Sequence, residues 1–359
     1  MNWQLKAVSL NYMAKRNRVI SIARGVCIIL MVVGHSGCPD YLMRLIFLFH
    51  MPFFFFASGY FCRPENTLRG DENSIGLYRR ILRRFRRLYL PFILYGMAFL
   101  LLHNLFLRLG LYSPELDGAA YDLPAFTAVA LKMFLKMDLP SRLMGGCWFL
   151  RSLLIAAVAI DIALYVLRKY QKAPLLLTIL AAAIVLILRI APDGTPVIRQ
   201  LIPAAMGGYF FLLGMHYRKW EDKVRPGALL VLVMMAVLAV CAALQPMEMG
   251  TPGVLNSLSY MIVAPAGILL VMLLSKLLDK TPVNNLLGFL GDNSLTVLAL
   301  HFLCFKLVSL LAIKTLGLPS EMLAEFPVIP GLGGAWWVLY SIAGLLIPGL
   351  ISLLVPRKI

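Results

Sequence analysis

The chain has 359 residues, 60% of them hydrophobic and only 14% charged, with a mean hydropathy of +0.83. These values exclude an ordinary soluble domain and read as an all-α polytopic membrane protein. The net charge of +17 does not imply a nucleic-acid partner, because most Lys and Arg lie in short loops between hydrophobic runs, where the membrane accounts for them.

Runs of about 20 apolar residues, enough to cross a bilayer, occupy 19–37, 41–62, 88–107, 147–167, 173–191, 200–217, 227–245, 254–275, 285–311 and 334–355. They predict a bundle of about ten transmembrane helices forming one domain over 1–359, with no separate soluble domain. Residues 1–18 are polar and basic, so no cleavable signal peptide is expected. With the N-terminus inside, the inner segments hold Lys6, Lys15, Arg16, Arg18, eight Arg from Arg63 to Arg87, Arg168, Lys169, Lys172, Arg218, Lys219, Lys223, Arg225, Lys276, Lys280, Arg357 and Lys358. These are 23 of the 34 basic residues, and the bias predicts an inner or plasma membrane protein with both termini cytoplasmic. Two outer segments are long: 108–146, in which LPAFTAVALKMFLKM reads as an interfacial amphipathic helix, and 312–333. The six cysteines have no CxxC spacing, which argues against a zinc site or a disulfide framework.

The stretch Arg24 to Tyr60 places an arginine and two histidines inside apolar sequence. An ionisable group at membrane depth requires a partner, a wet cavity or a ligand, and so marks a candidate site. On one helix, Arg24 and His35 are eleven positions and about three turns apart, so they share a face and stand roughly 16 Å apart along the axis. His35 titrates near neutrality unless burial intervenes and can take a proton from a hydroxyl; the structural alternative is a histidine hydrogen-bonded at a helix end. Arg24 either snorkels to headgroups or grips a phosphate bidentately.

Farther along, FHMPFFFFASGY contains His50, a Pro52 that frees a backbone carbonyl, and Ser58-Gly59, which allow another helix to approach closely. YRRILRRFRRLYLPF carries six arginines in nine residues, among them Arg83, Arg84, Arg86 and Arg87. That exceeds what orientation needs and favours a cytoplasmic site for a polyanionic small molecule over lipid anchoring alone. GCWFLRS puts Trp148 and Arg151 at an outer mouth, and GDNSLTVLALHFL sets Asp292, Asn293, Ser294 and a midmembrane His301 on one predicted helix. No phosphate-binding glycine loop, HExxH helix or GxSxG elbow is present.

Together these blocks resemble membrane-bound acyltransferase family 3, especially its fucose 4-O-acetylase-like branch, over nearly the whole chain. The most specific mark is the basic residue, ten intervening positions and histidine of RGVCIILMVVGH, Arg24 and His35. FHMPFFFFASGY, RRFRRLYLPF, CWFL, FFLLGMHYRK and GDNSLTVLALHF follow in the family's order. The resemblance implies a helix bundle that moves an acyl group, usually acetyl, from acyl-CoA on the cytoplasmic side to a hydroxyl of a cell-surface or lipid-linked saccharide. It implies His35 as catalytic, as general base or transient acyl carrier, and Arg24 with Arg83, Arg84, Arg86 and Arg87 on the donor, the RxxR pattern falling on Arg83 with Arg86 or Arg84 with Arg87. His50, Ser58, Trp148, Arg151, Asn293, Ser294 and His301 are expected in supporting or acceptor-side roles. No metal is expected, and the partners are acyl-CoA, the saccharide acceptor, membrane lipids and a separate envelope acyl-transfer protein. The family's usual carboxylate three residues before the basic position is here Ser21. The competing expectation is a transporter or flippase for a lipid-linked sugar, which would move its substrate without consuming acyl-CoA.

Overall fold

The computed structural model describes residues 3–63, 74–190, 196–224 and 227–354. Arg69, Arg225, Arg357 and Lys358 lie outside the described residues, as do the side chains of Lys6, Lys15 and Arg16. Among the described residues the chain is all-helical with no strand. The helices are α1 (Trp3–His35), α2 (Asp40–Phe47), α3 (His50–Tyr60), α4 (Ser74–Arg84), α5 (Leu90–Arg108), α6 (Leu123–Lys136), α7 (Trp148–Val166), α8 (Ala173–Ile190), α9 (Pro196–Trp220), α10 (Ala228–Leu244), α11 (Val254–Leu278), α12 (Asn284–Asp292), α13 (Ser294–Leu316) and α14 (Trp336–Leu354). Among the described residues, eight helical stretches are long and apolar enough to cross a membrane. The other two expected segments are also helical, as the 25 residues of α9 and the 17 of α10.

Three expected helices differ from simple rods, each for a local reason. The second run is broken between α2 and α3, where Phe49 adopts φ −144° and ψ −17°. Pro52, in the first turn of α3, has no N–H to continue the ladder across that break. The third run extends backwards, so that α4, a π-turn at Phe85–Tyr89 and α5 form one continuous rod. The ninth run breaks at Asn293 (φ −105°, ψ 16°), and the Asn293 amide donates to the Phe289 carbonyl at 2.8 Å, satisfying an acceptor at the end of α12. The expectation of Asp292, Asn293, Ser294 and His301 on one helix is thereby corrected: Asp292 closes α12 and Ser294 opens α13.

The interfacial segment is α6, capped by Asp122, whose carboxylate accepts from the Ala125 N–H at 2.9 Å. Met133 buries against the bundle while Leu123, Leu131 and Leu135 stay exposed.

Helix packing in lipid relies on small residues, since apolar side chains gain little by leaving an apolar solvent. Gly25 of α1 lies on the Leu287 backbone while Gly291 of α12 lies on the Ser21 backbone, so a Cβ at either position would strike main chain. Gly59 and Gly214 join α3 to α9 in the same reciprocal way. Central α1 packs on α12, α11, α3, α13 and α14, which places both Arg24 and His35 at helix junctions.

Candidate active site

The break before α13 points polar groups at Arg24. The Arg24 Nη2 donates to the Ser294 hydroxyl at 3.0 Å, and one turn earlier the Ser21 hydroxyl donates to Asp292 Oδ1 at 2.7 Å. A carboxylate therefore stands beside the Arg24 turn although the sequence has serine at position 21. It arrives from α12, and the close Gly25 and Gly291 contacts make that approach geometrically permissible.

Arg24, Asp292 and Ser294 form one wall of a cavity of about 830 Å³, within the range of small-molecule sites. Arg63, Arg80, Arg83, Arg84 and Arg87 also line it. Ser58 also faces this space, and the rest of the lining is largely apolar, with Ile28, Met51, Phe54, Phe149, Leu153 and Leu298. Thus the lining offers cations for a polyanion and apolar side chains for an uncharged chain. Of the two RxxR registers, only Arg84 with Arg87 has both members on the wall; Arg86 is exposed and does not line the cavity.

Asp161, within the apolar stretch of α7 and nearly fully buried, organises that wall. Arg84 donates to it through Nε at 2.5 Å and Nη2 at 3.1 Å, Arg80 Nε lies 3.7 Å away, and the Arg84 guanidinium rests 5.2 Å over the Phe211 ring. A fork held on one edge by carboxylate and on its face by an aromatic ring is preorganised for a ligand at its remaining edge.

Three imidazoles that do not line the cavity lie close to residues that do. His35, partly buried at the end of α1, has its ring centroid 5.7 Å from that of His301, 5.4 Å from Phe47 and 5.1 Å from Phe302. The Phe47 ring in turn lies 5.0 Å from His50. Met51 and Leu298, which line the cavity, are the neighbour of His50 and the residue one turn before His301. Ile28, also on the wall, is seven residues from His35, or roughly 10 Å along α1. Apolar side chains thus occupy the last part of the route from Arg24 to His35.

Arg151 lies 3.9 Å from Asp138 and Trp148 is at the exposed start of α7; neither lines the cavity, although Phe149 and Leu150 between them do. Asn293 shapes the α12–α13 break. Three participants went unassigned in the sequence reading: Arg63, Arg80 and Asp161. For Asp161 the signal was present, since a lone carboxylate in AAVAIDIALYV is an intramembrane ionisable group of the same kind as Arg24. Among the described residues no group of three or more His, Cys, Asp or Glu side chains is arranged to hold a metal ion.

Residues 17–353 match the family model Acyl_transf_3, described as an acyltransferase domain. No curated protein and no solved structure matches the chain.

Proposed function

The chain belongs to membrane acyltransferase family 3 and is a multi-pass membrane acyltransferase; from that premise we propose that it transfers an acyl group, acetyl by preference, from cytoplasmic acyl-CoA to a hydroxyl of a cell-surface or lipid-linked saccharide. The observation that carries this reading is one cavity of about 830 Å³ lined both by Arg24, Arg63, Arg80, Arg83, Arg84 and Arg87 and by apolar side chains that include Ile28, on the helix of His35, and Leu298, one turn before His301. On this reading Arg24, Arg84 and Arg87 grip the donor's phosphates and Arg83 adds charge at the mouth, because guanidinium forks match phosphate oxygens in pairs. The uncharged arm and acyl group then lie along α1 against Ile28, Phe54, Phe149 and Leu298, toward His35. The route of roughly 16 Å from Arg24 to His35 is about the reach that arm must have.

His35 acts as general base. The acceptor hydroxyl attacks the thioester carbonyl, its proton passes to a ring nitrogen of His35, the C–S bond breaks, and the departing thiolate takes that proton back. Acyl ester and free thiol result, and His35 returns neutral. Both termini are cytoplasmic in this arrangement, with the arginine end of the cavity facing the donor pool.

The test is acyl-CoA consumption and saccharide acylation by the purified protein in lipid, compared with His35→Ala. General-base removal is expected to lower turnover by roughly 10²- to 10⁴-fold with donor KM little changed. Full turnover by folded His35→Ala would overturn the mechanism. Sugar movement across vesicles without donor consumption would support the transporter reading instead.

A further inference from the structure

His301 is fully buried, and the surroundings of its neutral ring select one tautomer. Nδ1 lies 3.1 Å from the Val297 carbonyl and 3.0 Å from the Leu298 carbonyl. Carbonyl oxygens only accept, so Nδ1 carries the proton and Nε2 presents a bare lone pair. That Nε2 is buried and has no donor within the protein. A buried acceptor left unmatched costs about 1–3 kcal/mol, so its retention beside His35 calls for a role. The ring is also immobilised: Phe302 lies against it at 3.9 Å and Phe305 at 5.7 Å.

His50 is anchored in the same way, with Nδ1 at 2.9 Å from the Ile46 carbonyl, but the Phe47 ring contacts both His50 and His35. His301 is the imidazole in direct ring contact with His35, at 5.7 Å between centroids and 32° between planes. His35 is the less confined of the two, partly exposed at the last position of α1. With the two ring centroids 5.7 Å apart, an N–H···N bond of about 3 Å is within reach of a turn of the His35 ring about Cβ–Cγ.

We infer that His301 is the positioning residue for His35, its fixed Nε2 accepting the His35 ring N–H so that the other His35 nitrogen is bare and aimed at the acceptor hydroxyl. This deepens the general-base reading and rests on it. When His35 takes the hydroxyl proton it becomes an imidazolium, and the N–H shared with His301 Nε2 is then charge-assisted, the situation in which such a bond is strongest. No proton passes to His301. Its part is to choose the tautomer and hold the angle, as a fixed acceptor does behind the histidine of a hydrolase triad.

Three variants in lipid test this, each checked for folding by thermal melting and for donor binding by retention of a non-transferable acyl-CoA analogue. His301→Met, which fills the space but has no comparable acceptor, is expected to lower kcat by roughly 100-fold with donor KM within twofold. His301→Gln, whose amide oxygen can accept, is expected to recover at least tenfold of that loss, and His35→Ala is expected to remain the most impaired. Wild-type kcat in His301→Met while His35→Ala is inactive would overturn the positioning role and leave the general-base reading intact. Equal kcat for the Gln and Met variants would overturn it as well. Should His301→Met fail to fold, ¹⁵N spectra of histidine-labelled wild-type protein decide: an Nδ1-protonated, Nε2-bare ring is expected for His301, and an Nε2-protonated ring there overturns the inference.

Discussion

The two ends of the bundle hold buried or half-buried cations in opposite ways. At the long-loop end, Arg142 donates through Nε at 2.8 Å and Nη2 at 2.5 Å to both oxygens of Asp117, with the Ala324 carbonyl at 3.3 Å. Lys306 there donates to the carbonyls of Leu323 and Glu325 at 2.9 and 2.5 Å. Asp117 also accepts from the Ser113 N–H at 3.0 Å. These cations are engaged by the protein itself: Arg142 braces the 108–146 segment and joins it to 312–333, and Lys306 ties 312–333 to α13. At the cavity, Arg24 has a single hydrogen bond to a serine hydroxyl, Arg83 and Arg87 are exposed on the wall, and Arg84 uses only Nε and Nη2 on Asp161. Cations spent on loop carboxylates and carbonyls build architecture, whereas cations that line an open cavity build a place for an anion.

This contrast can be broken by exchanging the roles of the two ends. Asp161→Ala is expected to have the largest effect, a loss of about 3–5 kcal/mol of stability, because it leaves Arg84 half-buried without its counter-ion; a melting curve unchanged from wild type would show that Arg84 draws nothing from Asp161. Arg142→Ala, at the other end, should cost about 3 kcal/mol by orphaning the buried Asp117, while the donor KM of the folded fraction stays where it was. A rise in that KM would place Arg142 in the site after all. Replacing Arg84 and Arg87 together by Gln should raise the donor KM of the folded fraction by roughly 10- to 100-fold, the equivalent of one or two charge-assisted hydrogen bonds at about 1.5 kcal/mol each, and should also lower the melting temperature, because the buried Asp161 is left with Arg80 at 3.7 Å. Ser294→Ala removes the one hydrogen bond of Arg24 and should cost about threefold to tenfold in kcat/KM. The smallest effect is expected from Arg86→Gln, less than about twofold in donor KM, since a charge exposed to solvent contributes little. A larger effect would make Arg83 with Arg86 the working RxxR pair.

The arginine-rich rod sharpens the same point within one element. Arg80, Arg83, Arg84 and Arg87 recur at helical spacing and face the cavity, while the intervening Arg79 and Arg86 are exposed beside Ile75, Tyr78 and Phe85. One helix thus presents a cationic face to the cavity and a mixed aromatic and basic face to its surroundings, the composition suited to a headgroup layer. Six arginines in nine residues carry both assignments in sequence, and only the direction in which the helix is turned separates them.

Much of the fold was legible because long apolar runs in lipid have few options other than helices. The limits of α7, α8, α10 and α14 fall within about two residues of the runs at 147–167, 173–191, 227–245 and 334–355, since polar residues mark where lipid ends. The breaks were harder to see. Pro52 announced the first, but Asn293 did not announce the second, because an asparagine inside an apolar run is compatible with helix until its side chain finds a carbonyl to satisfy. That break matters for the site: it turns Ser294 to Arg24 and leaves Asp292 for Ser21.

By itself, the sequence determined which residues are out of place in lipid. Arg24, His35, His50, Asp161 and His301 are marked by the penalty for polar groups in an apolar run, and the eleven-residue interval places Arg24 and His35 on one face, because helical geometry is a property of the local chain. The tertiary structure alone decided their partners. Asp161 reaches Arg84 across 77 residues, Asp292 reaches Ser21 across 271, and His301 comes beside His35 from the far end of the chain. Hydrogen bonds act over about 3 Å, and no periodicity along the chain encodes which helix stands that close; glycine contacts such as Gly25 on Leu287 and Gly291 on Ser21 set that choice.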